Sequence, residues 1–93
     1  MFTYTEEEKN HVLELFFESK NPLVLGVFPS RQKRKFLCML WIVEKIEKNK
    51  PYTEQKINEL LKPIYNDFVS LRRYLVDFKL LKRTPDGSVY FRA

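Results

Sequence analysis

Near the carboxy terminus the spacing of apolar residues changes its period once, and that change constrains the fold more than any other feature of the chain. Phe68, Leu71, Leu75 and Phe78 follow steps of three, four and three, so they share one face of a helix over about residues 67–78, capped by Asn66 or Asp67. The pattern then becomes two short strands, about 80–84 and 88–92, flanking Thr84, Pro85, Asp86 and Gly87. Proline sets the second turn position there, and glycine accepts a positive φ. Ahead of the long helix, Thr53 caps a shorter one over about 54–62, with Ile57, Leu60 and Leu61 facing inward until Pro63 stops it. A short helix, a longer helix and a hairpin in this order spell a winged helix, a unit that binds nucleic acid in many proteins and serves as an interaction module in others.

Two further helices precede this unit. Thr5 and Glu8 fit a capping box, and Val12, Leu13, Phe16 and Phe17 recur at helical spacing, which predicts a first helix over about 5–19, ended by Asn21 and Pro22. Leu23 to Phe28 is short, β-branched and closed by Pro29, the pattern of a strand or extended linker. Ser30 is the expected cap of a second helix over about 31–48. Phe36, Leu40 and Val43, with Met39, Ile42 and Ile46 beside them, give that helix a stripe wide enough to centre the core, with Trp41 at its edge. The expected architecture is therefore α+β and mainly α: a single winged-helix-like domain over residues 1–93, with an extra N-terminal helix and a C-terminal two-stranded β-hairpin wing. Its 44% hydrophobic residues and only two glycines fit a packed, helix-rich domain and not a disordered chain.

Charge is distributed unevenly. Residues 1–20 carry two lysines against five glutamates, residues 31–50 carry seven basic groups against two acidic ones, and residues 65–93 carry six against three. The expected result is a basic surface built from the second helix and the hairpin, opposed by an acidic first helix, within a net charge of +5 that favours polyanionic partners.

Several function classes find no support. His11 is the only histidine and Cys38 the only cysteine, so neither an internal disulfide nor a zinc set of histidine and cysteine can be assembled. Cys38 lies in the apolar run from Phe36 to Val43 and reads as a small buried hydrophobe. No serine or cysteine has an identifiable neighbouring base, and two glycines 61 residues apart make no phosphate loop. The reading is non-enzymatic, without metal or cofactor. The longest apolar run is too short to span a bilayer, and no secretory leader is recognisable, so a cytoplasmic protein without membrane contact is expected.

The strings YTEQKINELL, NDFVSLRRYLVDFKLLKR and DGSVYFR, together with the earlier FPSRQKRKFLCMLWIV, resemble the bacterial family catalogued as domain of unknown function 2087. The resemblance covers most of residues 23–92. Its most specific parts are Tyr52, Thr53 and Glu54, then Asn58, Asp67, the Arg72 and Arg73 pair, and the hairpin from Arg83 to Tyr90. That family is similar to winged-helix proteins and occurs alone or behind a helix-turn-helix regulator domain, which implies a link to transcription. With some twenty residues ahead of the resemblance, a separate regulator domain is not expected in this chain.

Arg31, Lys33, Arg34 and Lys35 stand at the positive end of the second helix, where they form either a phosphate-contact patch or a solvated basic turn paired with Glu6, Glu7 and Glu8. Arg72 and Arg73 lie about 100° apart on their helix and should have different roles. Arg72 flanks the core stripe and reads as half of a structural ion pair with Asp67, Glu54 or Glu59. Arg73 is expected to face outward with Ser70 and Tyr74, able to meet base edges and phosphates, although Asp77 on that face opposes phosphate contact. Lys79, Lys82, Arg83 and Arg92 surround the hairpin, where they serve a phosphate backbone or simply protect strand edges. The first expectation is a DNA-binding transcriptional regulator domain using Ser70, Arg73 and Tyr74 near the groove and Lys82, Arg83, Arg92 and the helix-start cations on phosphates. The second is an interaction or homodimerisation module, meeting itself or another regulator protein through Phe16 or Phe17 of the first helix.

Overall fold

Thr5 opens the chain's first helix as the capping-box sequence requires: its hydroxyl accepts from the Glu8 amide at 3.1 Å, and the Glu8 carboxylate accepts from the Thr5 amide at 3.0 Å. The computed structural model describes residues 2–93, and α1 runs Glu6–Phe16. It stops three residues earlier than expected, because the Phe16 carbonyl accepts from the amides of Gly26 at 2.7 Å and Val27 at 3.1 Å instead of continuing the helical ladder. The chain turns directly into β1 (Phe17–Lys20), which pairs antiparallel with β2 (Leu23–Leu25). Asn21 and Pro22 are therefore the turn of a small hairpin and not the end of the helix.

The second helix, α2 (Gln32–Val43), begins with Arg31 at the cap position and has no side-chain cap, so Ser30 does not play the expected part. It also ends five residues early. The amides of Lys45 and Ile46 donate to Ile42 and Val43 at 3.0 Å each, a tightened last turn that folds Ile46 back into the core with no exposure. Next come β3 (Tyr52–Thr53), α3 (Glu54–Leu61), α4 (Phe68–Asp77), β4 (Leu81–Arg83) and β5 (Val89–Arg92). Thr53 caps α3 through the Lys56 amide at 3.1 Å, and Asp67 caps α4 through the Ser70 amide at 3.2 Å.

Helices α2, α3 and α4 pack beside a three-stranded antiparallel sheet of order β3-β5-β4, giving the winged-helix-like α+β fold. The wing thus has a third strand that periodicity did not show: Tyr52 pairs with Tyr90 and Thr53 with Val89. Two residues are too few to display alternation, and the partner strand lies more than thirty residues away. The core gathers Met39, Ile42, Ile57, Leu61, Leu71, Leu75 and Leu81, all fully enclosed. Each contributes about 1.5–3 kcal/mol by leaving water. Cys38 is enclosed with them, and burial pushes its thiol up to about 12, so it stays protonated.

Two sets of contacts bind the N-terminal segment to this unit. Trp41 donates its indole N–H to the Lys9 carbonyl at 2.7 Å, while the Lys9 ammonium lies 4.5 Å over the Trp41 ring and 3.2 Å from Glu44. An aromatic chain runs Phe2, Phe36, Phe78, Tyr74, Phe28 and Tyr65, with successive ring centroids 5.4 to 6.0 Å apart. Phe16 and Phe17 are half-buried against the core, so neither is the exposed face expected of them; Leu15, at 43% exposure, is.

Candidate nucleic-acid interface

The orientation of α4 follows from its buried stripe. With Leu71 and Leu75 turned into the core, Val69, Arg73 and Asp77, spaced by four residues, are left exposed to solvent. Arg72 and Val76 lie on the flank toward the wing, and Ser70 and Tyr74 on the flank toward α2. Tyr74 consequently does not stand beside Arg73 on the open face. It stacks at 6.0 Å on Phe78 and 5.4 Å from Phe28, and its hydroxyl accepts from the Lys35 ammonium at 3.1 Å. Ser70 is occupied as well: its hydroxyl donates to Asp67 at 2.6 Å. These bonds, with the nearby charge of Arg73, hold the Asp67 carboxyl below the usual aspartate range.

Between α4 and the wing lies an open groove of about 240 Å³. Arg72, Arg73, Val76 and Asp77 line one side, and Arg83 and Tyr90 the other. Three arginines outweigh Asp77 and the Glu54 carboxylate paired with Arg72, which leaves the cleft cationic. Strand alternation places its wing side: Arg83 is paired with Tyr90 and Lys82 with Phe91, so the two basic neighbours project from opposite faces of the sheet. Arg83 faces α4, whereas Lys82 shares the outer face with the 39% exposed Phe91.

Arg72 is structural, but not through Asp67. Its guanidinium lies 3.5 Å from Glu54 and hydrogen-bonds the side-chain oxygen of Asn58, both from α3, with only 17% of its side chain exposed. Asp67 is committed to the cap of its own helix, where its carboxylate accepts from both the amide and the hydroxyl of Ser70. Glu54 also sits close to the wing: a Cβ at Gly87 would meet Arg83 Nη1 at 3.6 Å and Glu54 Oε2 at 4.0 Å.

The wing tip is fixed by its own turn. The Asp86 carboxylate accepts from the Thr84 hydroxyl at 2.7 Å, the Ser88 amide at 3.0 Å and the Ser88 hydroxyl at 2.8 Å, which lowers its pKa from 3.8 to about 2. Gly87 adopts φ 72°, and its amide closes the turn on the Thr84 carbonyl at 2.9 Å.

The remaining candidates scatter. Lys33 pairs with Glu8 at 2.7 Å, and Arg34 lies 5.7 Å over Phe16, so both lean on α1; Arg31 lines the same α1–α2 cleft. That part of the cationic helix start is the paired basic turn. Lys35 alone is directed toward α4. Arg92 is tied by its guanidinium to the Ile46 carbonyl at 3.2 Å and braces the last strand. The structure thus brings Arg72, Arg73 and Arg83 together, sets Lys35 and Tyr74 on the opposite flank of α4, and separates Lys82, Arg92, Arg31, Lys33 and Arg34. Val69 and Val76 were missed; their spacing of four and three residues from Arg73 was the available signal. Of the partners expected for Arg72, Glu54 is the one the structure pairs with it, and Asn58 could be placed there only by the packing of α3 on α4.

Among the described residues no group of three or more histidine, cysteine, aspartate or glutamate side chains could hold a metal ion, and no helix is long and apolar enough to cross a membrane. The family model for domain of unknown function 2087, described as an uncharacterized protein conserved in bacteria, matches residues 24–92. Neither the curated proteins nor the solved structures include a match to this chain.

Proposed function

The chain belongs to the bacterial family of domain of unknown function 2087, and from its winged-helix-like fold we propose that it is a duplex-DNA-binding domain acting in transcriptional regulation. The observation that carries this reading is the convergence of Arg72, Arg73 and Arg83 on the groove between α4 and the wing. A major groove about 12 Å wide admits one helix. With α4 inserted, Arg83 meets the phosphates beside it, Arg72 holds that wall through Glu54 and Asn58, and Lys35 extends the cationic track along the other flank of the helix. Asp77 offsets part of the attraction and keeps the affinity backbone-dominated and moderate.

Fluorescence anisotropy with a labelled duplex between 50 and 200 mM salt tests the proposal. Log affinity should fall linearly with log salt, by about 0.9 in slope for each phosphate neutralised. Binding that ignores salt, or no binding at 50 mM, rejects it. A second reading, homodimerisation, draws on a different feature: Leu15 at 43% and Val27 at 60% exposure are apolar residues without cover. Sedimentation equilibrium of the chain and of its Leu15→Glu variant distinguishes that reading, since a dimer formed through α1 should dissociate in the variant.

A further inference from the structure

The three arginines of the groove are not equivalent, and their difference bears on sequence selectivity. Arg72 is held by Glu54 at 3.5 Å and by Asn58, and Arg83 stands on the opposite wall, in the wing. Arg73 is exposed on the outermost line of α4 and, among the described residues, takes part in no ion pair. Long helical side chains lean toward the helix N-terminus, so its guanidinium lies over the preceding turn, the turn that carries Val69. Val69 is 40% exposed, an apolar side chain on a face otherwise polar.

We infer that Val69 and Arg73 are a base-reading pair, selecting a thymine and a guanine within about two base steps of each other. The inference rests on the DNA-binding reading above. A guanidinium donates two parallel hydrogen bonds to guanine O6 and N7, and valine methyls match the thymine C5-methyl in the same groove. Four helical residues advance about 6 Å, close to two steps of roughly 3.4 Å each. Asp77, one turn beyond Arg73, repels phosphates at the far end of α4 and confines base contact to the turns that carry Val69 and Arg73. Tyr74 and Ser70, occupied with Lys35 and Asp67, are not available to read bases.

Selection from a randomised duplex pool, followed by anisotropy on the selected site, tests the pair. Replacing the selected guanine should weaken wild-type binding by roughly 5- to 150-fold. It should leave Arg73→Ala binding unchanged. Substituting uracil for the selected thymine removes one methyl and should weaken wild-type binding about fourfold. The Val69→Ala variant should not distinguish the two bases. Both positions are exposed, so both variants should fold, and circular dichroism is the check. Salt-dependent binding without a guanine and thymine preference, or with a preference that survives both substitutions, overturns the inference while DNA binding stands. Absence of salt-dependent binding by the wild type overturns both.

Discussion

Substituting the two basic neighbours of the wing one at a time should separate them cleanly. Lys82 and Arg83 are adjacent and similar in charge, so sequence alone makes them interchangeable phosphate contacts. Pairing with Phe91 and Tyr90, respectively, puts them on opposite faces of the sheet, and only Arg83 lines the groove beside α4. If DNA occupies that groove, Arg83→Ala removes one neutralised phosphate and flattens the slope of log affinity against log salt by about 0.9. Over a fourfold rise in salt, from 50 to 200 mM, that slope corresponds to about a 3.5-fold smaller loss of affinity. Lys82→Ala should leave the slope unchanged and the affinity nearly so, because an exposed charge on the far side of the sheet is screened within about 8–10 Å. The assay is anisotropy with one duplex at five salt concentrations for the wild type and both variants. Equal slope changes in the two variants would refute the assignment of the groove as the binding face. A larger effect from Lys82→Ala would place DNA on the outer face of the wing, against Phe91.

Other consequences concern stability and pH. Arg72→Ala should cost about 1–2 kcal/mol in urea unfolding, since it strips the hydrogen-bonded Asn58 and half-exposed Glu54 of their partner, whereas the exposed Arg73→Ala should stay within about 0.5 kcal/mol. Lys79 follows α4 with φ 62°, and the Lys79 and Leu80 amides donate to Val76 and Leu75 at 2.9 Å each, a helix-ending motif that ordinarily uses glycine. Lys79→Gly should therefore raise stability by about 0.5–1 kcal/mol, the left-handed strain relieved less the extra freedom of the unfolded chain. A lower melting temperature would contradict this account of the turn. The Asp86 carboxyl is lowered from 3.8 to about 2, so its bonds to Thr84 and Ser88 are fully present above pH 3.8 and are lost as the pH falls through about 2. Titration of the Ser88 amide signal by NMR should show a midpoint near 2, and a midpoint near 4 would mean that the wing tip is not ordered in this way.

Much of the fold is legible in near-neighbour patterns. Thr5 with Glu8, Thr53 and Asp67 are caps whose partners lie three residues away, and the stripe of Leu71, Leu75 and Phe78 orients α4 without knowledge of anything beyond it. The turn at Thr84 to Gly87 is equally local. The same kind of reasoning separated Arg72 from Arg73, because an angle of about 100° around a helix is a property of the helix itself.

The tertiary structure decided everything that depends on a distant partner. Whether α1 stops at Phe16 is settled by the amides of Gly26 and Val27, and whether Tyr52 and Thr53 form a strand is settled by Tyr90 and Val89. Which of Asp67, Glu54 and Glu59 pairs with Arg72 was settled in favour of Glu54, with Asn58 added, because α3 packs on α4, and Tyr74 was drawn from the open face by Phe28, Phe78 and Lys35. Helix periods and caps are written within a turn or two of the chain, so the sequence by itself carried the order of the main elements. Strand pairing and the partners of charged side chains depend on surfaces that meet only after the chain has folded, and those contacts determine which arginines face a common groove.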